Sequence, residues 1–259
     1  MQLEICVDSV ESAIAAEHGG ADRVELCSDL LEGGITPSAG LIATVRHIIG
    51  IGIFVMIRPR GGDFCYSEME FAAMQEDIRQ ARELGADGLV LGVLTEDATV
   101  DVARTAALVR VAEPLPVTFH RAIDMTPDPV GSVQAVIEAG ARRILTSGGA
   151  AKVTEALDTI ARMVSAAGDR LALMAASGIN PDTVAAVAAT GISEFHAALR
   201  TGHPSPVRYR KQGVTMGAIP DHEYLRFAVQ EERVRALRES LDAAARDRDP
   251  ATSPRAQES

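Results

Sequence analysis

The chain has 259 residues, 47% of them hydrophobic, and carries a formal net charge of -11 with a pI near 5.0. That length permits one large buried core, the longest apolar runs are too short to cross a bilayer, and the acidic balance argues against nucleic acid or an anionic membrane as the main partner. Three cysteines, with no Cys-x-x-Cys pair among them, exclude a disulfide framework and the compact zinc and redox signatures.

Met1 leads straight into QLEICV, without the basic start and long apolar stretch of a signal peptide, so a cytoplasmic location is expected. Strand-length apolar runs then recur near 2–7, 23–27, 53–57, 88–92, 116–120, 142–146, 171–175 and 192–197. Helical spacing falls between them, near 9–19, 38–49, 67–84, 100–112, 128–139, 150–167 and 180–190. Four joints repeat one pattern, HGGADRVEL, ELGADGLVL, EAGARRIL and ATGISEFH, in which a Gly suited to a left-handed C-cap precedes a strand. Alternation at this spacing predicts parallel pairing and a closed (β/α)8 TIM barrel over residues 1–200. No G-x-G-x-x-G follows any strand, which disfavours an open doubly wound sheet. Residues 201–242 read as a Pro/Gly/Arg segment followed by a helix, beginning in YLRFAVQEERVRALRESL, on the barrel wall. Residues 243–259 read as a disordered polar tail.

In such a barrel the outer strand face is apolar and the inner face points at the mouth. Leu3, Ile5, Val7, Val24, Leu26, Ile53, Val55, Ile57, Val117, Phe119 and Phe195 take the outer phase. That phase leaves Glu4, Cys6, Glu25, Cys27, Arg58, Thr118, His120, Glu194 and His196 inside. One polar inward residue would mean little, but five strands share the phase. Two readings follow. Glu4, Glu25 and Glu194 pair with Arg58 and a protonated histidine as an internal ion network, or the same groups converge on a ligand. In the second reading Glu25 and His120 exchange protons, Arg58 clamps an anion, and Glu4, Glu194 and His196 support them. The substrate would be a small polar, phosphorylated or sugar-like metabolite.

The glycine turns after strands six and seven, LTSGGA with Ser147, Gly148 and Gly149 and MAASGIN with Ser177 and Gly178, suit either an anion such as phosphate or plain strand-to-helix capping. The loop RPRGGDFCYS carries Arg60 and Asp63, as a lid over the mouth or as a mutual ion pair. HRAIDMTPDP offers Arg121 and Asp124 in the same two ways. Cys6 and Cys27 occupy equivalent ends of adjacent strands, where two thiolates suit Cu(I) and two thiols serve equally as small core fillers. His18 and His47 read as surface residues, and His203 and His222 belong to no constellation.

With these residues laid out, the chain resembles the CutC family, named for copper homeostasis. The resemblance is carried by GGADRVELC (19–27), EGGITPS (32–38), IRPRGGDFCYS (57–67), VTFHRAID (117–124), LTSGG (145–149) and SPVRYRKQG (205–213). It implies a TIM barrel, a cytoplasmic protein and a homo-oligomer, dimer or tetramer. It also implies copper binding, with Cys6 and Cys27 as the ligands.

Overall fold

A computed structural model describes residues 1–217, 219 and 222–248. Eight parallel strands close on themselves in chain order: β1 (Gln2–Val7), β2 (Arg23–Leu26), β3 (Gly52–Met56), β4 (Gly88–Leu91), β5 (Val117–Phe119), β6 (Arg143–Thr146), β7 (Ala172–Ala175) and β8 (Glu194–Ala197). Between them run α1 (Val10–His18), α2 (Ala39–Ile48), α3 (Glu68–Glu83), α4 (Val102–Ala112), α5 (Pro129–Glu138), α6 (Leu157–Ala167) and α7 (Val184–Ala188). The fold is the (β/α)8 TIM barrel that the alternation predicts.

Local chemistry sets the joints. Ser9 and Ser38 accept hydrogen bonds from the first turns of α1 and α2, Ser67 and Glu70 form a reciprocal capping box on α3, and Asp128 caps α5 ahead of Pro129. The four repeated joints place Gly20, Gly85, Gly140 and Gly191 at φ of 91, 89, 86 and 98°. A side chain is strained in that left-handed region, so the chain turns from helix to strand at glycine.

The alternation sorts the strands as expected. Leu3, Ile5, Val7, Val24, Leu26, Ile53, Val55, Val117, Phe119 and Phe195 pack with the helices in one continuous core. Inside the barrel, Cys6, Cys27, Phe54, Met56 and Val90 form a separate small cluster. Below it the barrel is closed by an ionic layer. Arg23 reaches Glu4 (2.6 Å) and Glu194 (2.5 Å), and Arg143 reaches Glu194 (2.6 Å) and Thr118 (3.2 Å). Both guanidinium carbons lie 5.2 Å from the Phe54 ring centroid. Phe54 pairs in register with Gly88, where a Cβ would collide with the aromatic ring.

The C-terminal segment differs from its reading. LRFAV is not the start of a helix. β10 (Leu225–Val229) pairs antiparallel with β9 (Arg200–Pro204), and the helix α8 (Glu231–Arg248) begins only afterwards. The alternation of Leu225, Phe227 and Val229 explains the strand. Helix α8 buries Val234, Leu237, Leu241 and Ala244 against the barrel, and Val234 sits where a Cβ on Gly19 would stand. It continues past Leu241, so the first residues of the segment read as a tail are helical, while residues 249–259 lie outside the described residues. Among the described residues no helix is long and apolar enough to cross a membrane.

Candidate functional site at the barrel mouth

Strand register assembles the site. In parallel pairs, residues opposite one another face the same way. β1 sets Cys6 against Glu25 of β2 and Glu4 against His196 of β8, so a thiol, two carboxylates and an imidazole share one inner corner. Cys27, just past β2, adds a second thiol: its Sγ lies 3.9 Å from Cys6 Sγ and 3.5 Å from Glu25 Oε2. His196 Nδ1 lies 2.7 Å from Glu4 Oε1, and its Nε2 lies 3.9 Å from Glu25 Oε2.

Burial makes the charge states of this corner unequal. The hydrogen bond with Cys27, and after it His196, pulls the Cys6 thiol down to about 5 against its burial, which favours its thiolate form. Cys27 is held well above the ordinary thiol range by that same bond and by burial, and keeps its proton. Glu25 is raised by burial and then by the neighbouring Cys6 charge. Burial also opposes ionisation of Glu4, but the His196 hydrogen bond and Arg23 bring it down to about 2. Burial alone would neutralise His196, yet Glu25, Cys6 and Glu4 around it raise its pKa well above the ordinary value. The corner thus favours a charged thiol and a charged imidazole beside a carboxyl that resists ionisation. Glu25 Oε1 is buried without a hydrogen-bond partner.

Above the corner opens a cavity of about 440 Å³, lined by Cys6, Glu25 and His196 at one side and by Met56, Arg58, Phe64, His120, Leu145 and Ile179 around it. His120 caps a short 3-10 turn, its Nδ1 accepting from the Ala122 amide at 3.2 Å. Burial, reinforced by Arg58, lowers its pKa to about 3. Its proton therefore rests on Nε2, which is buried and unpartnered. Arg58 lines the cavity but spends its terminal nitrogens on backbone carbonyls of Glu32 (2.6 Å), Gly34 (3.0 Å) and Gly62 (2.8 Å). Its fixed role is to hold the strand-two and strand-three loops together.

The residues singled out in the sequence thus divide. Cys6, Glu25, Arg58, His120 and His196 reach the cavity wall, with Ser177 and Gly178 at its rim. Glu4 stands behind His196, and Glu194 belongs to the ionic layer beneath, bound to two arginines. Arg60 faces away and pairs with Glu70 (2.6 Å) and Asp63 (3.1 Å), ordering its own loop, from which Phe64 reaches the cavity. The turn after β6 does cradle an anion, and the anion is Asp124. Its Oδ1 accepts from Thr146 Oγ1 (2.5 Å) and the amides of Ser147 and Gly149 (3.1 Å each), while Oδ2 accepts from Ser147 Oγ (2.9 Å) and Arg121 Nε (2.8 Å). Gly148 donates to Thr146 Oγ1. Ser147, Gly148 and Gly149 are therefore occupied from within the chain. Two residues escaped the sequence reading, Arg23 and Arg143. Each lies two positions before an inward residue, Glu25 and Leu145, so strand alternation already carried the signal.

The matches to known proteins agree with one another. The CutC family model matches residues 1–201. A CutC family protein of Chromobacterium violaceum is 50% identical over 243 residues, covering 93% of this chain and 98% of its own. The copper homeostasis protein cutC homolog of Homo sapiens is 45% identical over 237 residues, covering 91% and 87%. The crystal structure of the copper homeostasis protein CutC of Streptococcus agalactiae superposes with a TM-score of 0.72 at 34% identity, covering 76% of this chain and 97% of that one. A barrel with an inward Glu-x-Cys at each of its first two strands, the second ending just past β2, and matched at this identity over nearly its whole length, belongs to the CutC family.

Proposed function

We propose that the protein is a cytoplasmic copper-handling protein that takes Cu(I) as cargo on Cys6 and Cys27. The observation that carries this is the 3.9 Å separation of the two sulfurs on adjacent strands. That span is shorter than two metal–sulfur bonds of about 2.3 Å laid end to end, so one ion reaches both. Thiolate ligands select soft ions, and the surroundings of Cys6 lower its thiol pKa toward the thiolate form. The copper homeostasis names of the human and streptococcal relatives support the same reading. A homo-oligomer belongs to it as well, supported by Tyr209 and Met216 standing exposed beyond the barrel; a single-chain mass in light scattering would count against it.

Anaerobic Cu(I) titration against a competing chelator should show one tight site, lost in Cys6→Ser and in Cys27→Ser. Unchanged affinity in both variants would sink the proposal.

A second reading rests on the cavity, which is far larger than an ion needs and falls in the range of small-molecule sites. Glu25, raised, and His120, lowered, have acid–base properties pushed apart. They support an enzyme acting on a small polar metabolite. Thermal-shift screening followed by turnover of His120→Ala and Glu25→Gln tests it; a discovered substrate turned over normally by both variants would remove these roles.

A further inference from the structure

We propose that Cys6, Glu25 and His196 form a second metal site, for a borderline divalent ion of the zinc class, which shares Cys6 with the copper pair and keeps one coordination position open to the cavity. It rests on the copper reading only in requiring that Cys6 bind metal.

The donor atoms come first. One sulfur, one carboxylate oxygen and one imidazole nitrogen lie within 4.8 Å of one another. All three residues line the cavity, whereas Cys27 does not and is fully buried. The thiol pair thus ends at a sulfur closed off from the cavity, while all three members of the mixed trio border the open space. Three protein ligands of S, N and O type with a free fourth position describe an open zinc-like site, while the two-sulfur pair describes a soft monovalent one.

The surroundings of His196 are the second observation. Its Nδ1 is fixed by Glu4 Oε1 at 2.7 Å, and Glu4 Oε2 is fixed in turn by Arg23 Nε at 2.6 Å. A carboxylate behind the distal nitrogen is the usual support of a metal-binding histidine, because it sets the tautomer and aims the other nitrogen. Here the aimed nitrogen is Nε2, the one beside Glu25. Third, the Glu25 carboxyl has an oxygen without any partner in a buried setting, where unpaired polar atoms are rare. A cation between Cys6, Glu25 and His196 gives Glu25 a charge to face and places Glu4 as a positioning residue. Since Cys6 Sγ cannot serve both sites at once in full, occupation by Cu(I) withdraws the divalent site.

Co2+ added anaerobically to the metal-free full-length protein is the test, read by sulfur-to-cobalt charge-transfer absorption and by the visible ligand-field bands. One equivalent should bind, and Zn2+ should displace it. Cys6→Ser should abolish the charge-transfer band, and His196→Gln and Glu25→Gln should each weaken binding and move the ligand-field bands. Glu4→Gln should weaken Co2+ binding about 10- to 100-fold and move the same bands, which a purely structural role would leave alone. Cys27→Ser should lose Cu(I) but keep Co2+, and prior loading with Cu(I) should block Co2+. Far-UV circular dichroism certifies each variant as folded. The site is overturned if Cys27→Ser abolishes Co2+ binding as fully as Cys6→Ser, or if folded His196→Gln leaves affinity and spectrum unchanged. Retained Co2+ binding beside absent Cu(I) binding would overturn the copper reading alone.

Discussion

His120 shows what one buried side chain does to the whole. It is 4% exposed, wedged between Phe64 and Phe119 and against Gly92, where a Cβ would stand 2.6 Å from the ring. Burial and then Arg58 hold its folded pKa at about 3, below an unfolded value near 6.5. A depressed pKa means that the unfolded chain binds the proton first. The contribution of neutral His120 is fully present above pH ~6.5 and is lost as the pH falls toward the folded value, at roughly 1.4 kcal/mol per pH unit. Urea unfolding at pH 7 and pH 5 should therefore show a loss of stability in the native chain that is smaller in His120→Gln. Equal losses would mean that His120 is not the group responsible. His120 was legible in the sequence as an inward residue of VTFHR, because strand phase alone decides it. Its protonation was not, since that depends on Phe64 and Arg58 arriving from another strand's loop.

At the scale of elements, the ionic layer under the site turns two sequence readings into one. An internal ion network and a ligand site were alternatives for the same carboxylates, and the barrel contains both, stacked along its axis. Glu194 lies wholly in the network, Glu25 in the site, and Glu4 touches each. Arg23 joins the two carboxylates, so its removal leaves Glu194 to Arg143 and Glu4 to His196 alone. Arg23→Met keeps an apolar stem against Phe54 yet should cost about 3–5 kcal/mol in urea-induced unfolding. A loss under 1 kcal/mol would show that the network contributes little. The sequence made the strands plain because four Gly joints and a shared outer phase repeat. It hid the β9–β10 hairpin because only Gln230 separates LRFAV from EERVRAL, and apolar residues at 225, 229, 234 and 237 also satisfy a loose helical stripe. The Asp124 cradle was hidden for another reason: glycine-rich turns advertise free amides, and nothing local says that an aspartate from the preceding loop will fill them.

For the molecule as a whole, α8 packs beside α1 and α7 and ties the N-terminal end of the barrel together. Leu237 and Leu241 are fully buried, Arg238 reaches Asp22 and the Met1 carbonyl, and Arg248 reaches the Ile192 carbonyl. Leu237→Ala should cost about 2–5 kcal/mol, measured by urea unfolding, with metal titrations on the folded variant unchanged. An altered metal affinity there would mean that the α8 packing and the site are coupled. With the Arg23–Phe54–Arg143 layer filling its lower end, the barrel is a well with a bottom and not a conduit. On the proposed copper reading, an ion that reaches Cys6 leaves past Phe64, Arg58 and His120, so uptake and handover share one doorway. A protein receiving the cargo would have to dock on the rim, and the loops there would set both how fast the ion enters and how long it stays.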